Sequence, residues 1–233
     1  EGMYCTPCES FWTESQLVDG KCPDCGREVK PAKEEAYFLK LSKYQKRLEE
    51  FIEQNENFIY PEARKKEMLN NFIKPGLADT CVSRTSFNWG VPVLSDPKHV
   101  VYVWIDALTN YITALGYENE QYNDFEKFWP ADVHFIGKDN IVFHCIIFPT
   151  MLKAYDDNFN LPDNVPANEF LNLEGDKIST SRNWAIWLNE YLEDFPGKQD
   201  VLRYVLTANA PETKDNNFTW KDFQERNNNE LVA

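Results

Sequence analysis

Apolar positions recur along the chain with two different periods. Helical spacing marks residues 43–55, which follow an N-cap position at Ser42, and residues 61–73, which begin at a proline. Dense runs of β-branched and aromatic residues at 100–105 and 133–136 predict buried strands, each followed by a helix. The pattern therefore predicts two packing helices and then the order strand–helix twice.

Helical spacing returns in the second half of the chain. Residues 141–153 predict the helix after the second strand, and two further helices are predicted around 184–191 and 201–205. Residues 220–231 are also compatible with a helix. We expect the first two helices after residue 182 to support the polar segment that precedes them.

Residues 169–182 combine a strand pattern with a cationic loop. Alternating apolar residues lead to Gly175, where the chain can turn freely. Among the polar residues that follow are Lys177, Ser179, Ser181 and Arg182, within a run of six residues. Ammonium and guanidinium groups neutralise an anion, while hydroxyl and backbone N–H groups bind its oxygens. On composition alone, an anion site and an ordinary surface turn are both consistent with this loop.

Composition and charge limit the class of protein. With 233 residues, 42% of them hydrophobic and 15% aromatic, the chain can form a real core. A formal net charge of −14 disfavours non-specific binding to nucleic acid or to an anionic membrane, but it permits a local basic site. No apolar run approaches the roughly 20 residues that span a bilayer. We expect a cytoplasmic protein with no membrane partner, and both ends suggest a fragment of a longer chain.

The cysteine spacing is the most specific signal near the start of the chain. Two Cys-x-x-Cys pairs are separated by thirteen residues, and their members are Cys5, Cys8, Cys22 and Cys25. Four thiolates at this spacing predict one tetrahedral, structural zinc ion. The alternatives are two disulfides or a redox Cys-x-x-Cys motif. Cys81 and Cys145 are isolated in the sequence and are predicted to be small core residues.

Functional candidates lie at the end of the first predicted strand. Asp106 follows residues 100–105, at the edge where side chains of α/β sheets face ligands. Trp104 and Tyr111 are seven residues apart, so a helix that starts near Asp106 would place both on one cavity. The alternative for this pair is an ordinary place in the core.

A similar arrangement follows the second predicted strand. Gly137, Lys138 and Asp139 precede a helix. At such a position glycine permits close approach of the backbone to a nucleotide, and an aspartate can accept hydrogen bonds from ribose hydroxyls. The sequence of that helix contains His144, which suits either a hydrogen-bonded core position or a functional one. These residues suggest a nucleotide site without specifying one.

The motifs, taken in order, resemble one known family. They are the Cys-x-x-Cys pairs, Val82-Ser-Arg with Trp89-Gly-Val-Pro, Tyr102-Val-Trp-Ile-Asp-Ala, His134-Phe-Ile-Gly-Lys-Asp and Lys177-Ile-Ser-Thr-Ser. This order closely resembles the methionyl-tRNA synthetase family of class I aminoacyl-tRNA synthetases, from about Gly2 to the last residue. The combination is specific although no single motif is.

The resemblance implies an α/β fold with three segments. Residues 1–99 are similar to the connective insertion with its zinc knuckle, and residues 100–182 to the second half of a Rossmann-type catalytic domain with a parallel sheet. Residues 183–233 are similar to the stem-contact region and the start of the helical anticodon-binding domain. The number of subunits is not implied.

The resemblance also implies roles for individual residues. The residues implied to line the methionine pocket are Trp104, Ala107, Tyr111, Phe143 and His144. Gly137, Lys138 and Asp139 would hold the adenosine of ATP, and Arg84 would support amino-acid activation. Lys177, Ser179 and Ser181 belong to the loop that stabilises the pyrophosphate leaving group.

Three departures from the family pattern stand out. Thr180 replaces the second lysine of the usual Lys-Met-Ser-Lys-Ser loop, and our hypothesis is that Arg182 supplies the missing charge. Phe148 stands where many members have tryptophan. The family's His-Ile-Gly-His-type signature is missing from the chain, since no two of its three histidines are closely spaced.

The function implied is therefore that of a methionine–tRNA ligase. Such an enzyme uses ATP with Mg to form methionyl-adenylate and then transfers methionine to tRNA(Met). We expect this chain alone to be inactive, because half of the ATP site is absent from it. The alternatives are a non-catalytic, zinc-stabilised tRNA-interaction module and a class I synthetase for another apolar amino acid.

Overall fold

A computed structural model of the chain describes residues 2–8, 10–23, 25–33, 35–86 and 88–232. For residues 10, 11, 15 and 181 only the backbone is described, so the predicted role of the Ser181 side chain lies outside the described part.

Short strands and helices alternate through these ranges. The strands are β1 (Gly2–Cys5), β2 (Ser10–Trp12), β3 (Lys30–Ala32), β4 (Phe38–Leu39), β5 (Ile59–Tyr60), β6 (Thr80–Cys81), β7 (Ser83–Arg84), β8 (Val100–Val101), β9 (Ile136–Gly137), β10 (Val165–Asn168), β11 (Leu171–Leu173), β12 (Asp176–Lys177) and β13 (Asn216–Phe218). The α-helices are α1 (Gln45–Gln54), α2 (Glu62–Glu67), α3 (Val103–Thr113), α4 (Phe125–Phe128), α5 (Phe148–Tyr155), α6 (Leu188–Asp194), α7 (Gln199–Ala208) and α8 (Trp220–Arg226).

Wider π-helical turns extend three of the α-helices. Met68–Ile73 continues α2, Phe143–Ile147 leads into α5, and Asn227–Leu231 continues α8. The helices predicted for 43–55, 61–73, 141–153, 201–205 and 220–231 are thereby confirmed, with small shifts at their ends.

The residues group into two compact units. The first contains Glu1–Ser42 and Ala78–Tyr111, and the second contains Lys43–Leu77 and Ile112–Ala233. The first unit holds the three-stranded antiparallel sheet β2–β1–β3 and the antiparallel pairs β4–β6 and β7–β8. This division follows compactness, whereas the predicted segments 1–99, 100–182 and 183–233 follow family roles and stay predictions.

The core of the second unit is a parallel sheet covered by helices. Strand β10 lies in the centre and pairs in parallel with β5 and β9, with Val165 opposite Ile59 and Ala167 opposite Ile136. Val165 and Ala167 are almost fully buried. Side chains from α1, from the π-turn after α2 and from the segment before α5 complete this core. The α/β fold with a parallel sheet is confirmed.

A second sheet in this unit carries the cationic loop. Strand β11 pairs with β12 in an antiparallel hairpin and with β13 in parallel. Its core contains Leu173, Phe218 and Phe223 together with Tyr191 of α6 and Val205 of α7. The two helices predicted after the loop therefore pack on the sheet that carries it, although the first covers Leu188–Asp194 and not 184–191.

The predicted strand over residues 100–105 is wrong for most of its length. Only Val100–Val101 is extended, and α3 begins at Val103. Asp106 consequently lies in the first turn of α3 and not at a strand end, a position where its negative charge complements the helix N-terminus. A short apolar run indicates burial, but it does not separate a buried strand from a buried helix.

Two smaller predictions also fail. Ser42 does not cap α1, because it lies in a short 3₁₀ turn and its hydroxyl donates to Asp79 Oδ1 at 2.7 Å. Of the strand predicted at 133–136, only Ile136 is in β9, which ends at Gly137. Val133 forms an isolated bridge with Asn164.

Among the described residues, no helix is both long and apolar enough to cross a bilayer.

Candidate functional site

The loop predicted to bind an anion begins with a β-hairpin. Glu174 and Gly175 form its turn at positive φ angles of 51° and 89°. The Gly175 N–H donates to Asn217 Oδ1 at 2.7 Å, which ties the turn to the neighbouring strand. Positive φ at both turn residues suits the right-handed twist of the paired strands. The sequence prediction of a strand followed by a loop is thus refined to a hairpin that presents Lys177 on β12.

The segment after the hairpin is closed at its base. Ser179 and Trp184 exchange two backbone hydrogen bonds of 2.9 Å each. The Trp184 indole donates to the Leu173 carbonyl at 3.1 Å, and the Arg182 guanidinium donates to the Lys177 carbonyl at 3.4 Å. Thr180, Arg182 and Lys177 themselves are exposed. Cationic groups therefore face solvent from a loop whose ends are fixed.

Phe170 lies beneath two of the predicted site lysines. The Lys138 ammonium is 4.5 Å from its ring centroid and the Lys177 ammonium is 5.4 Å from the same point. Both distances are within the range of cation–π attraction, which extends to about 6 Å. The structure therefore brings the Gly-Lys-Asp motif and the loop lysine to one aromatic ring.

A network of charges surrounds the root of this loop. The buried carboxylate of Glu169 accepts from Lys138 Nζ at 2.7 Å and from Arg64 Nε at 2.9 Å. Arg64 also pairs with Glu67, and Lys138 Nζ donates to Asp215 Oδ1 at 2.6 Å. Burial by itself would raise the pKa of Glu169, but the hydrogen bonds from Lys138 and Arg64 outweigh it and lower that pKa.

The charge of Lys138 is held in place by its carboxylate partners. Hydrogen bonds to Asp215 and Glu169 raise the pKa of Lys138. The bond from Lys138, followed by one from the Phe170 N–H at 2.8 Å, lowers the pKa of Asp215. All three groups therefore stay charged at neutral pH, and the ammonium of Lys138 is largely compensated.

Gly137 and Asp139 form a close turn at the end of β9. A Cβ atom on Gly137 would lie 2.7 Å from Asp139 Oδ1, so no larger side chain fits without moving that carboxylate. Asp139 itself is exposed, in a 3₁₀ turn that leads towards α5. The structure shows a tight turn at Gly137, while the close approach of its backbone to a nucleotide stays a prediction.

His144 occupies a buried and hydrogen-bonded position in the second unit. Its Nδ1 donates to the Asn140 carbonyl at 2.9 Å, which assigns the proton to that nitrogen and makes Nε2 an acceptor. Burial lowers the pKa of His144, and the bond to Asn140 opposes this only in part. Its ring centroid lies 6.3 Å from that of His134. Nδ1 of His144 therefore has the hydrogen-bonded core position that the sequence allowed.

Phe143 is half-buried in the π-helical turn that contains His144, and Phe148 is fully buried just beyond it. The Phe148 ring stacks on His134 with centroids 6.2 Å apart and meets Trp129 edge-on at the same distance. A phenylalanine in place of the family's tryptophan is thus accommodated by a dense aromatic cluster.

The remaining candidate side chains belong to the first unit. Trp104, Ala107 and Tyr111 lie on one face of α3, because their spacing of three and seven residues returns to the same side of a helix. Ala107 is exposed, and Trp104 and Tyr111 are half-buried. Both aromatics lie on one helix, which begins at Val103 and not near Asp106 as predicted, and their role in methionine binding stays a prediction.

Arg84 is buried on β7, with its guanidinium carbon 5.1 Å from the centroid of the Tyr102 ring. The neighbouring Ser83 accepts from the Tyr37 N–H at 2.8 Å, and its hydroxyl lies 3.0 Å from His99 Nδ1. These buried contacts fix the strand on which Arg84 stands.

The four predicted metal ligands converge in the first unit. One sulfur from each of Cys5, Cys8, Cys22 and Cys25 lies within 4.8 Å of the others, and the Cys5 and Cys25 sulfurs are 3.6 Å apart. A tetrahedral zinc site with bonds of about 2.3 Å places its sulfurs about 3.8 Å apart. None of the six cysteines, all within the described part, forms a disulfide. The cluster could therefore hold a metal ion.

The two isolated cysteines lie apart from this cluster. Cys145 is fully buried, and burial raises the pKa of its thiol. Cys81 is half-buried and donates to the Ser83 carbonyl at 3.1 Å. The core position predicted for Cys145 is confirmed. Cys81 is only partly buried, so its predicted core position is confirmed only in part.

Comparison with known families gives the membership of the chain. The family model described as tRNA synthetases class I (M) matches residues 1–233. The chain belongs to this class I tRNA synthetase family. The resemblance inferred from the motifs is confirmed.

Other members of the class I tRNA synthetase family align with the full length of the chain. It is 54% identical to a methionine–tRNA ligase of Clostridium perfringens and 53% identical to one of Clostridium acetobutylicum, each over 232 residues. All of this chain is covered in both cases, but only 35% of each relative, so the chain spans about a third of their length.

Solved structures of this family also match. A Mycobacterium tuberculosis methionyl-tRNA synthetase in complex with methionyl-adenylate superposes with a TM-score of 0.86 at 37% identity. The apo form of that enzyme matches with a TM-score of 0.83 at 36% identity. Both cover the whole of this chain and 45% of the solved chain.

Sequence reasoning missed several residues around the synthetase loop. Phe170, Glu169, Asp215 and Arg64 were not candidates, although the first two lie inside the segment that the sequence singled out. The signal available was the pair of an acidic and an aromatic residue directly before a cationic loop. Arg64 and Asp215 had no local signal, because they lie 105 and 46 residues from Glu169.

Proposed function

We propose that this chain is part of a methionine–tRNA ligase, which forms methionyl-adenylate from methionine and ATP with Mg and then transfers methionine to tRNA(Met). The observation that carries the proposal is the match of the entire chain, at 37% identity, to a synthetase solved with methionyl-adenylate. The identity of more than 50% to two methionine–tRNA ligases supports the same substrate.

The loop residues act on the leaving group in this proposal. As an oxygen of the methionine carboxylate bonds to the α-phosphorus, the bond from that phosphorus to the bridging oxygen breaks and pyrophosphate leaves. Lys177 neutralises the charge that accumulates on pyrophosphate, while Ser179 and Ser181 donate hydrogen bonds to its oxygens. The exposure of Lys177 on the hairpin, directly before a loop closed by Ser179 and Trp184, supports this role.

The nucleotide is held by the turn at the end of β9. Gly137 lets the backbone approach adenosine, and Asp139 accepts from the ribose hydroxyls. Lys138 belongs to this set through the turn that it occupies, since its ammonium is bound to Glu169 and Asp215. The exposure of Asp139 supports access by a ligand.

The methionine-binding residues are assigned unit by unit. In the first unit they are Trp104, Ala107 and Tyr111 of α3, and Arg84 supports activation from β7. In the second unit they are Phe143 and His144. Aromatic ring edges attract a thioether sulfur, and the hydrogen bond from Nδ1 to the Asn140 carbonyl fixes the tautomer and orientation of a neutral His144.

The cysteine cluster has a structural role in this proposal. Cys5, Cys8, Cys22 and Cys25 would ligate Zn²⁺ as thiolates, and four cysteines leave no open coordination position for catalysis. A bound zinc ion would supply a cross-link between the two knuckles. We place the whole protein in the cytoplasm, where its tRNA substrate is used in translation.

Amino-acid-dependent ATP–pyrophosphate exchange by the intact protein tests this function. We expect robust exchange with methionine and at least about tenfold lower kcat/KM with leucine, isoleucine or valine, the range reached by discrimination between apolar side chains. Equal exchange with another apolar amino acid would contradict specificity for methionine, and higher exchange would assign that amino acid as the substrate instead. Binding of tRNA without any exchange would support the non-catalytic module and overturn the proposal.

A further inference from the structure

We propose that Phe170 is a positioning residue for Lys177, whose ammonium rests on the aromatic ring until ATP draws it to the phosphates. The inference deepens the proposed function and rests on it. The observation behind it is the shared ring, with Lys138 at 4.5 Å and Lys177 at 5.4 Å from the Phe170 centroid. An aromatic face attracts cations through its quadrupole at such distances.

The hairpin register places the two side chains together. Lys177 pairs with Asn172 across the β11–β12 hairpin. Phe170 precedes Asn172 by two residues, so the extended chain points both side chains to the same face. Phe170 and Lys177 are therefore diagonal neighbours, a relation in which long and aromatic side chains reach one another. The contact follows from backbone pairing and not from a chance side-chain conformation.

The ring itself is anchored through its own backbone. The Phe170 N–H donates to Asp215 Oδ1 at 2.8 Å, and the same oxygen accepts from Lys138 Nζ at 2.6 Å. The Asn216 N–H donates to the Phe170 carbonyl at 2.9 Å. Phe170 is half-buried. Its neighbour Glu169 belongs to the charge network, and its other neighbour Leu171 belongs to β11. The surface that Lys177 meets is thus held still.

Two ammonium groups on one ring would repel each other if both were uncompensated. Lys138 is compensated, because Glu169 and Asp215 accept its hydrogen bonds at 2.7 and 2.6 Å. Lys177 is exposed, and no ion pair to it is present among the described residues. The cation that remains available for an anion is therefore Lys177, and the ring orders it without neutralising it.

This arrangement lowers the cost of the catalytic contact. A free lysine side chain loses much of its rotamer freedom when it binds a phosphate. A lysine already confined to the ring has lost part of that freedom, yet the attraction of a neutral ring is weak compared with that of a triphosphate. Lys177 can therefore leave the ring when ATP arrives.

The test compares three residues at position 170 in the intact protein. Phe170→Leu keeps an apolar side chain but removes the aromatic face, and Phe170→Tyr keeps the face. We expect Phe170→Leu to lower kcat/KM for ATP in pyrophosphate exchange by about two- to fivefold, the range for an exposed cation–π contact. The KM for methionine should stay unchanged, and Phe170→Tyr should retain the wild-type value.

A double-mutant cycle separates positioning from a structural effect. In a Lys177→Ala background, Phe170→Leu should cause no further loss of kcat/KM for ATP. An equal loss in both backgrounds would overturn the inference, as would a Leu variant with wild-type kinetics or a Tyr variant as impaired as the Leu variant.

A spectroscopic measurement decides the point independently of activity. After reductive ¹³C-methylation of lysines, the signal that disappears in Lys177→Arg belongs to Lys177. We expect an upfield ring-current shift of that signal in the wild type and in Phe170→Tyr, and its loss in Phe170→Leu. If the wild type showed the shift but no methionine-dependent exchange, the proposed function alone would fail. If exchange occurred without the shift, the positioning role alone would fail.

Discussion

At the scale of single residues, Arg182 is the cationic residue that follows Thr180, which stands at the position of the family's second loop lysine. Thr180 carries no charge, and the exposed Arg182 donates to the Lys177 carbonyl at 3.4 Å. The structure thus places the guanidinium beside the loop but does not assign it to a phosphate. Its compensating role remains a hypothesis with a direct test.

We expect Arg182→Ala in the intact protein to reduce the rate of ATP–pyrophosphate exchange by about ten- to a hundredfold. The reason is the loss of a charge-assisted hydrogen bond worth about 1.5–3 kcal/mol. Arg182→Lys is the matched control, because it keeps the positive charge and should retain part of the rate. An exchange rate of Arg182→Ala equal to that of the wild type would eliminate the hypothesis.

His134 makes the stability of the second unit sensitive to acid. Burial, and then the neighbouring His144, lower the pKa of His134 from 6.5 to about 4. Between these values the unfolded chain binds a proton that the folded chain excludes. The stabilising contribution of the neutral ring is therefore complete above about pH 6.5 and is lost as the pH falls towards 4.

The variant His134→Phe keeps an aromatic ring beside Phe148 and Trp129 but binds no proton. We expect the free energy of unfolding to fall more steeply between pH 6.5 and pH 4.5 in the wild type than in this variant. Urea titrations followed by tryptophan fluorescence measure both. Identical pH dependences of the two proteins would show that His134 does not titrate in this range.

At the scale of elements, local spacing predicted some features well. The two Cys-x-x-Cys pairs form a cluster because each knuckle is a local turn, and Gly26 at a φ of 69° completes the second one with its N–H 2.8 Å from the Cys22 carbonyl. Helices with a long apolar period, such as α1 and α7, were predicted for the same reason.

Removal of one ligand should release the metal from this knuckle. We expect the purified protein to contain about one zinc ion per chain, since four thiolates complete a tetrahedral shell. Cys8→Ser should lose that zinc and lower the melting temperature, whereas Cys81→Ser, outside the cluster, should keep the metal. Elemental analysis with thermal unfolding measures both effects. A wild type without zinc, or a Cys8→Ser variant that retains it, would contradict the structural metal site.

Short apolar elements were not predictable in the same way. Residues 100–105 are dense in β-branched and aromatic side chains, yet α3 begins at Val103. A high density of apolar residues indicates that a segment is buried. Its backbone conformation depends also on the hydrogen bonds that the surrounding structure offers. Here Val101 donates to the Val91 carbonyl, and Ile105 already donates to Tyr102 in a helical turn.

At the scale of the whole molecule, the chain spans 35% of the length of relatives such as the methionine–tRNA ligase of Clostridium perfringens. We expect the 233-residue chain alone to show no methionine-dependent pyrophosphate exchange above background. The family's His-Ile-Gly-His-type signature is not among its residues, and a lysine loop without that half of the ATP site stabilises no transition state.

The measurement mixes this polypeptide with ATP, methionine and labelled pyrophosphate, and the intact protein serves as the positive control. Far-ultraviolet circular dichroism of the chain establishes that it is folded under the same conditions. Robust exchange by the folded chain alone would overturn the expectation and would locate a complete activation site within these residues.

The sequence by itself determined the family, the four cysteines that could hold a metal ion and the position of the cationic loop. Each of these is encoded by short spacings, because a knuckle, a tight turn or a long helix depends mainly on neighbouring residues. The tertiary structure alone decided the helical start of α3 and the network around Phe170. Glu169 meets Arg64 and Lys138 across 105 and 31 residues, and Lys138 meets Asp215 across 77. Such pairs have no fixed spacing, since folding and not local geometry brings their charges together.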